Sequence, residues 1–277
     1  MVDLSTAAKL AARLEPCHSF IYFAPEAGLN FHGLGLEGGA GYFASRSAAM
    51  GPVSPEVVIA TFYNFKPSLV RESMAGVWDV TDPAAVLAAR NDAAAKALRR
   101  MLGEDADGPD IATIGELCRE AAVTADPAGR ALFAGHAGLP WPDDPLLVFW
   151  HAITLLREFR GDGHVSALML EGVDPVEALV THVASGLARL PKALLQATRG
   201  WTDEEWAAGE ARLRTRGLLA DDGTLTPEGT AQRERIEATT TLAALAPFEV
   251  LGDDGVARLS DLVAPFSATI RNAMFGR

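Results

Sequence analysis

Cysteine is scarce in this chain: two residues in 277, Cys17 and Cys118. Two lone thiols exclude a disulfide framework and a cysteine-built zinc site, and they suit a reducing, cytoplasmic compartment. Basic residues are also few. Lys and Arg number 24 against 36 Asp and Glu, a net charge of −12. Such a balance favours solubility and disfavours unguided attraction to nucleic acid or anionic membranes. No apolar run approaches the length needed to span a bilayer, so no membrane partner is expected. The opening MVDLSTAAKLAARLEPC lacks the long apolar centre of a signal peptide and predicts an amphipathic helix. Sustained period-two alternation is nearly missing. With 49% hydrophobic residues, the chain has material for a sizeable core, and the expected fold is mostly α.

What is present is a pattern written twice. Gly39-Ala-Gly41-Tyr42 matches Gly161-Asp-Gly163-His164. A further glycine follows in each, Gly51 and Gly172. Ser54-Pro55 and Asp174-Pro175 then both read as an N-cap with proline at the first helical position. Pro67 and Pro191 open the next segments, which end in Trp78 and Trp201, and an acidic-capped helix follows each tryptophan. The expected architecture is a tandem, duplicated pair of helical units. The polar, glycine-rich stretch Gly103 to Asp110 is the expected linker. This gives a half over 1–104, a half over 105–250 and a helical tail over 251–277. The alternative is two unrelated helical runs that share cap grammar.

The second copy is the more explicit. WTDEEWAAGEARLRTRGLL predicts a helix capped by Thr202, with Trp206, Leu213, Leu218 and Leu219 on its buried side. Asp221-Asp222-Gly223 is a hairpin turn between two very short strands, and Thr226-Pro227-Glu228 starts another helix. This layout, over about 191–244, resembles the MarR-like group of winged helix-turn-helix proteins. The segments YFAPEA, FYNFKP, LPWPDDP and RGDGH are similar to those of an uncharacterised actinobacterial family of such proteins. The resemblance implies winged-helix-like units, the first degenerate because it lacks the LTPEG wing. It also implies DNA as a partner and a homodimer through terminal helices.

Charge argues against tight DNA binding. The helix that a MarR-like protein lays in the major groove here begins Asp203-Glu204-Glu205, and the wing carries Asp221 and Asp222. Arg212, Arg214 and Arg216 stand at the far end of that helix, where they suit its dipole. The first copy offers Arg90, Lys96, Arg99 and Arg100. Weak general affinity for DNA is expected, since Lys and Arg contacts to phosphate supply most of it.

Reactive residue types are densest from His136 to His164. A helix is predicted from about Pro145 to Arg160, with His151, Thr154 and Glu158 on one face and Gly161 as the residue that ends it. A turn at Gly161 and Gly163 then returns Asp162 and His164 to the same end. In the first half His18, Tyr22, Tyr42, Tyr63 and Asn64 are the counterparts, and Trp141 lies in the stiff LPWPDDP loop. The expected ligand-binding set is therefore His18, Tyr22, Tyr42, Tyr63, Asn64, Trp141, His151, Glu158, Arg160, Asp162 and His164, lining a cleft between the halves. Three readings stay open. In the first, Arg157 or Arg160 pairs with Glu158 or Asp162, and the cluster is structural. In the second, aromatic and polar groups line a small-molecule pocket. In the third, His and carboxylate bind metal or haem or do acid–base work, although no HExxH, CxxC or Gly-x-Ser-x-Gly arrangement marks such a site. No particular cofactor or metal is indicated.

The tail places Leu259, Leu262, Val263, Phe266, Ile270 and Met274 at helical spacing, with Pro265 expected to kink or break it. The chain as a whole reads as a sensor-type winged-helix protein that binds a small molecule and regulates transcription. An enzyme or metal- or haem-binding protein, and a structural interaction module, are the alternatives.

Overall fold

Local capping chemistry sets most helix starts in the computed structural model, which describes residues 2–188 and 190–276. In chain order the helices are α1 (Leu4–Ser19), α2 (Pro25–Gly33), α3 (Gly39–Ser47), α4 (Pro55–Phe62), α5 (Pro67–Met74), α6 (Val77–Val80), α7 (Pro83–Leu102), α8 (Pro109–Ala122), α9 (Ala131–Ala137), α10 (Pro145–Leu170), α11 (Pro175–Ala184), α12 (Lys192–Arg199), α13 (Asp203–Thr215), α14 (Pro227–Ala243) and α15 (Ala246–Phe275). Asp3 caps α1 and Asp82 caps α7 through their carboxylates. Full capping boxes open α11 (Asp174 with Glu177) and α13 (Thr202 with Glu205). Each satisfies two helix N–H groups that would otherwise lack acceptors. The fold is mostly α, as expected. Among the described residues the two short strands predicted around Asp221-Asp222-Gly223 reduce to one antiparallel bridge, Leu219 with Leu225.

Contacts group the chain into two units that interleave along the sequence: 1–53, 76–162 and 241–277 form the first, and 54–75 with 163–240 the second. This grouping follows neither the 1–104 half nor the 105–250 half. Gly103 to Asp110, expected as a linker, is a 3-10 turn (Gly103–Asp107) running into α8 inside the first unit. Its Ala106 is buried, which an exposed linker could not achieve.

In the first unit α15 lies along α1 and α8, and α7 packs on α2 and α3. Val256, Leu259, Val263, Phe266 and Ile270 of α15 are buried, so the apolar stripe of the tail is used within its own unit. Pro265 does not break α15; it sits at an exposed position and the helix continues to Phe275. Proline in a helix interior costs roughly 3 kcal/mol, which the buried residues on either side outweigh. The break falls instead at Gly252, with φ 64° and ψ 179°.

The second unit holds two apolar clusters. Val176, Leu179 and Val180 of α11 meet Trp206 and Leu213 of α13 with Leu218 and Leu219. Ala167, Leu168, Val173, Ala178 and Ile236 form the other, against which Tyr63 packs. Gly229 is required by close approach: a Cβ there would lie 2.0 Å from the Leu218 carbonyl oxygen.

One expectation fails at the Gly161 turn. The helix does not end at Arg160; α10 runs unbroken to Leu170. Glycine costs a helix about 1 kcal/mol relative to alanine. The buried side chains of Leu156, Phe159, Ala167 and Leu168 on both sides of the pair contribute more than that.

Candidate functional site

The first unit buries an unusual number of charged and polar side chains in one place. The buried stripe of α1, at Ala7, Leu10, Leu14 and Cys17, carries His18 at its end. The adjoining 3-10 turn Phe20–Tyr22 presents Tyr22. Helix α3 contributes Tyr42 and Arg46 four residues apart, and α7 contributes Arg90. Helix α9 contributes His136, and α10 contributes Thr154, Arg157 and Glu158. His18, Glu158 and His136 are at most 1% exposed, Arg90 3% and Arg46 7%.

All of these groups except Arg90 and His136 form a connected network. The His18 ring places Nδ1 3.0 Å from the Thr154 hydroxyl and Nε2 2.7 Å from the Tyr22 hydroxyl. Arg157 Nη1 donates to Glu158 Oε2 at 2.7 Å. Arg46 Nη2 and His18 Nε2 stand 3.6 and 3.7 Å from Glu158 Oε1. Arg46 Nη1 donates to the Tyr42 hydroxyl at 2.9 Å. Its guanidinium lies 5.3 and 5.5 Å from the Tyr22 and Tyr42 ring centres, and the two rings are 5.3 Å apart. Arg90 stacks on Trp150, 4.4 Å from its ring centre.

Burial decides the protonation states. It lowers His18 well below its ordinary value, helped by Arg157, and lowers His136 to about 3 and His151 to about 4, each helped by Arg90. All three rings are neutral at physiological pH. Burial alone would raise Glu158, but Arg157 and Arg46 outweigh it and hold the carboxyl below the usual range. Burial pushes Tyr22 up to about 12, so its hydroxyl keeps its proton. The consistent assignment has Tyr22 donating to His18 Nε2 and His18 Nδ1–H donating to Thr154, a tautomer inferred from the network.

Tyr22 and Tyr42 also line a cleft of about 420 Å³ with Ile21, Phe23, Phe31 and Leu36. Gly41 lies against Phe31 so closely that a Cβ would stand 2.8 Å from the Phe31 Cβ. The cleft mixes aromatic and aliphatic walls with His32, Glu37 and Ser45, and it shares Tyr22 and Tyr42 with the polar network, a lining of the kind that binds small molecules. A larger depression of about 740 Å³ over α8, with Thr113, Glu116 and Arg258, contains none of the candidate residues.

Of the residues singled out from sequence, His18, Tyr22, Tyr42 and Glu158 come together in this network. His151 lies on the same helix, its ring edge-on to Trp141 at 4.8 Å, and Arg119 stacks on the far aromatic at 4.5 Å. Arg160 is half-buried on α10. Asp162 accepts from the Phe133 N–H at 3.0 Å, so it caps the start of α9. Burial raises its carboxyl against that bond. Tyr63, Asn64 and His164 belong to the second unit. There Tyr63 donates to the Val173 carbonyl, the Asn64 carbonyl accepts from Trp201 Nε1 at 3.0 Å, and His164 Nδ1 is 2.9 Å from the Thr240 hydroxyl. Because α10 continues through Gly161, no turn brings Asp162 and His164 back toward His151. Arg46 and His136 were missed: Arg46 is the one charged residue of α3 and His136 the one polar side chain of α9, with no local pattern to mark either. Among the described residues no three His, Cys, Asp or Glu side chains gather as a metal site.

The second unit also has two helices joined by a short turn. Helices α12 and α13 are joined by Gly200, Trp201 and Thr202, with Gly200 left-handed at φ 80°. A Cβ at Gly200 would also press on Leu69 at 3.0 Å. Most basic residues around α13 are already engaged. Arg212 binds Asp174 at 2.5 Å and Glu177 at 3.2 Å, Arg216 binds Glu177 at 2.9 Å, and Arg214 and Lys192 bind Glu210. Lys66 binds Glu205 at 2.8 Å. The basic residues of the first copy are similarly taken. Arg90 is buried rather than free for phosphate, while Lys96, Arg99 and Arg100 hold Asp92, Asp144 and Glu26.

No curated protein and no solved structure matches the chain. The sequence profile of a helix-turn-helix family matches residues 7–276. That match takes in both the buried polar network and the α12–α13 turn, and the chain belongs to this helix-turn-helix family.

Proposed function

We propose that the protein is a ligand-responsive helix-turn-helix regulator of transcription: a small molecule occupies the Tyr22–Tyr42 cleft and engages the His18–Glu158–Arg46 network behind it. The observation that carries the reading is a desolvated, charged network whose Tyr22 and Tyr42 also line a cleft, in a chain of a helix-turn-helix family. A merely structural cluster has no need of that opening. On this reading α11, α12, α13, the Leu219–Leu225 turn and α14 form a winged helix of the MarR-like kind, acting in the cytoplasm as a homodimer.

The duplication belongs to the same reading. Left-handed Gly51 and Gly172 each precede a proline-started helix, α4 and α11. Eight-residue helices α5 and α12 follow, then left-handed Gly76 and Gly200, then Trp78 and Trp201. The shared order supports descent from one ancestral unit, with 1–104 and 105–250 as the copies and 251–277 as an addition.

General DNA affinity is low on this reading. The exposed face of α13 offers Glu204, Ala207, Ala208, Ala211 and Thr215. Moving Arg212 or Arg216 to a phosphate would strip a partner from Glu177, whose side chain is 3% exposed. Specificity then rests on contacts to a particular sequence. Selection from randomised duplexes tests this. Enrichment of one sequence, lost when Ala208 and Ala211 are replaced by Glu, supports the reading. Failure to enrich any sequence contradicts it.

A further inference from the structure

Arg90, His136 and His151 take no part in the Tyr22–His18–Glu158 network, yet they are embedded beside it. The Nε and Nη2 atoms of Arg90 reach no protein acceptor, both ring nitrogens of His136 are without a protein partner, and so is Nε2 of His151. Arg90 is 3% exposed and His136 1%. Nε and Nη2 lie on one edge of a guanidinium, and their two N–H bonds run parallel at the spacing of two carboxylate oxygens. The guanidinium lies over Trp150, 4.4 Å from the ring centre. His151 follows Trp150, the residue on which Arg90 stacks, on α10, and after burial Arg90 is the first charge to lower both histidine rings. The surroundings are short of negative charge: Arg46, Arg90 and Arg157 face one buried carboxylate, Glu158, with Glu15 3.7 Å from Arg157 at the margin.

We propose that Arg90, His136 and His151 form a seat for the carboxylate of an organic acid, with the free edge of Arg90 gripping both oxygens and the neutral imidazoles donating from the sides. Two parallel donors, flanking neutral donors and an uncompensated cation suit a planar, singly charged oxyanion. A water molecule can accept hydrogen bonds there but cannot supply the missing charge. The inference rests on the reading of this unit as a ligand-binding one, and it names the chemical class of the ligand.

The test uses the intact chain. Thermal melts are recorded with sodium acetate, sodium 3-phenylpropanoate and the two corresponding amides, at an ionic strength held constant with sodium chloride. Long-range proton–nitrogen spectra of the histidine rings are recorded in the same titrations. The seat predicts a saturable rise in melting temperature with the carboxylates and none with the amides. His136 resonances should move at the same midpoint, and Arg90→Met should weaken the response at least about tenfold. Equal binding of both acids identifies a free small acid as the occupant. Binding of 3-phenylpropanoate at least about tenfold tighter identifies the head group of a larger one. Carboxylates that act no differently from chloride, with unmoved histidine resonances, overturn the proposal and leave internal water as the occupant. An Arg90→Met variant with the wild-type response also overturns it. If that variant does not fold, the wild-type histidine spectra decide. Stabilisation by the amides alone removes the carboxylate seat while keeping a ligand-binding unit, and stabilisation by none of the four removes the seat and counts against the wider reading.

Discussion

Replacing Glu158 by Gln removes one charge from the centre of the first unit while keeping the shape of the side chain. In the native protein that carboxylate is 1% exposed, accepts from Arg157 at 2.7 Å and stands 3.6 Å from Arg46. The variant leaves three guanidiniums with no buried counter-charge, and breaking a buried pair from one side costs about 3–5 kcal/mol. For a chain of this size that corresponds to a drop in melting temperature of about 6–20 °C. The pH dependence adds a second signature. Burial by itself would raise the Glu158 carboxyl, but Arg157 and Arg46 hold it below the usual range. A depressed carboxyl contributes stability that is complete above the unfolded value of about 4.3 and is lost as pH falls through the folded value. The gap between wild type and Glu158→Gln should therefore be constant from neutral pH down to about 5 and narrow below about 4. Urea melts of both proteins across that range are the assay. A variant within about 1 kcal/mol of wild type at pH 7 would refute the reasoning, because it would mean the arginines are solvated or paired elsewhere.

Other outcomes follow from the same structure. His136 and His151 are buried neutral, lowered by burial and then by Arg90 to about 3 and about 4. The unfolded chain takes up their protons first, so each should remove about 1.4 kcal/mol per pH unit as pH falls below about 6.5. Urea melts showing no loss of stability between pH 6.5 and 4.5 would mean the rings already carry protons in the fold. Gly229→Ala forces a Cβ to within 2.0 Å of the Leu218 carbonyl oxygen; a loss of at least about 2 kcal/mol is expected, and a neutral result would show that the turn shifts freely. Cys17 and Cys118 are buried, and burial raises both thiols, Cys17 to about 12. Neither should react with a disulfide reagent until the protein unfolds, and rapid labelling of the native chain would contradict that.

Sequence exposed the parts of this fold that depend on neighbours within a few residues. The N-caps at Asp174 and Thr202 were readable because a cap lies directly before the helix it starts, although their reciprocal partners Glu177 and Glu205 were not read. Trp206, Leu213, Leu218 and Leu219 were readable because one helix face and its exit carry them. Gly161 and Pro265 misled for the opposite reason: each is a local helix breaker in a helix whose two sides are both anchored by distant packing. The site divides in the same way. Glu158 and Arg157 are adjacent on α10, and their ion pair was foreseeable as one of four pairings. Arg46 and His136 arrive from α3 and α9, more than twenty residues from Glu158, and nothing in GAGYFASRS or ALFAGHA distinguishes a buried polar group from a surface one. Arg90 looked like a phosphate contact on an amphipathic helix, whereas its position on the inner face of α7 buries it against Trp150.

The measurement that bears most directly on the proposed function is the affinity of the intact chain for its selected duplex, read by fluorescence anisotropy with and without the small-molecule extract of its source cells. The account predicts that the extract changes that affinity at least about fivefold, a coupling of about 1 kcal/mol. It predicts that His18→Asn, which removes the ring that meets Tyr22 and Thr154, abolishes the change in a variant that still melts cooperatively and keeps its affinity in the extract's absence. It also predicts weak binding of random duplex with a shallow salt dependence. A selected duplex whose affinity is indifferent to the extract, or tight, steeply salt-dependent binding of any duplex, would contradict a ligand-responsive regulator.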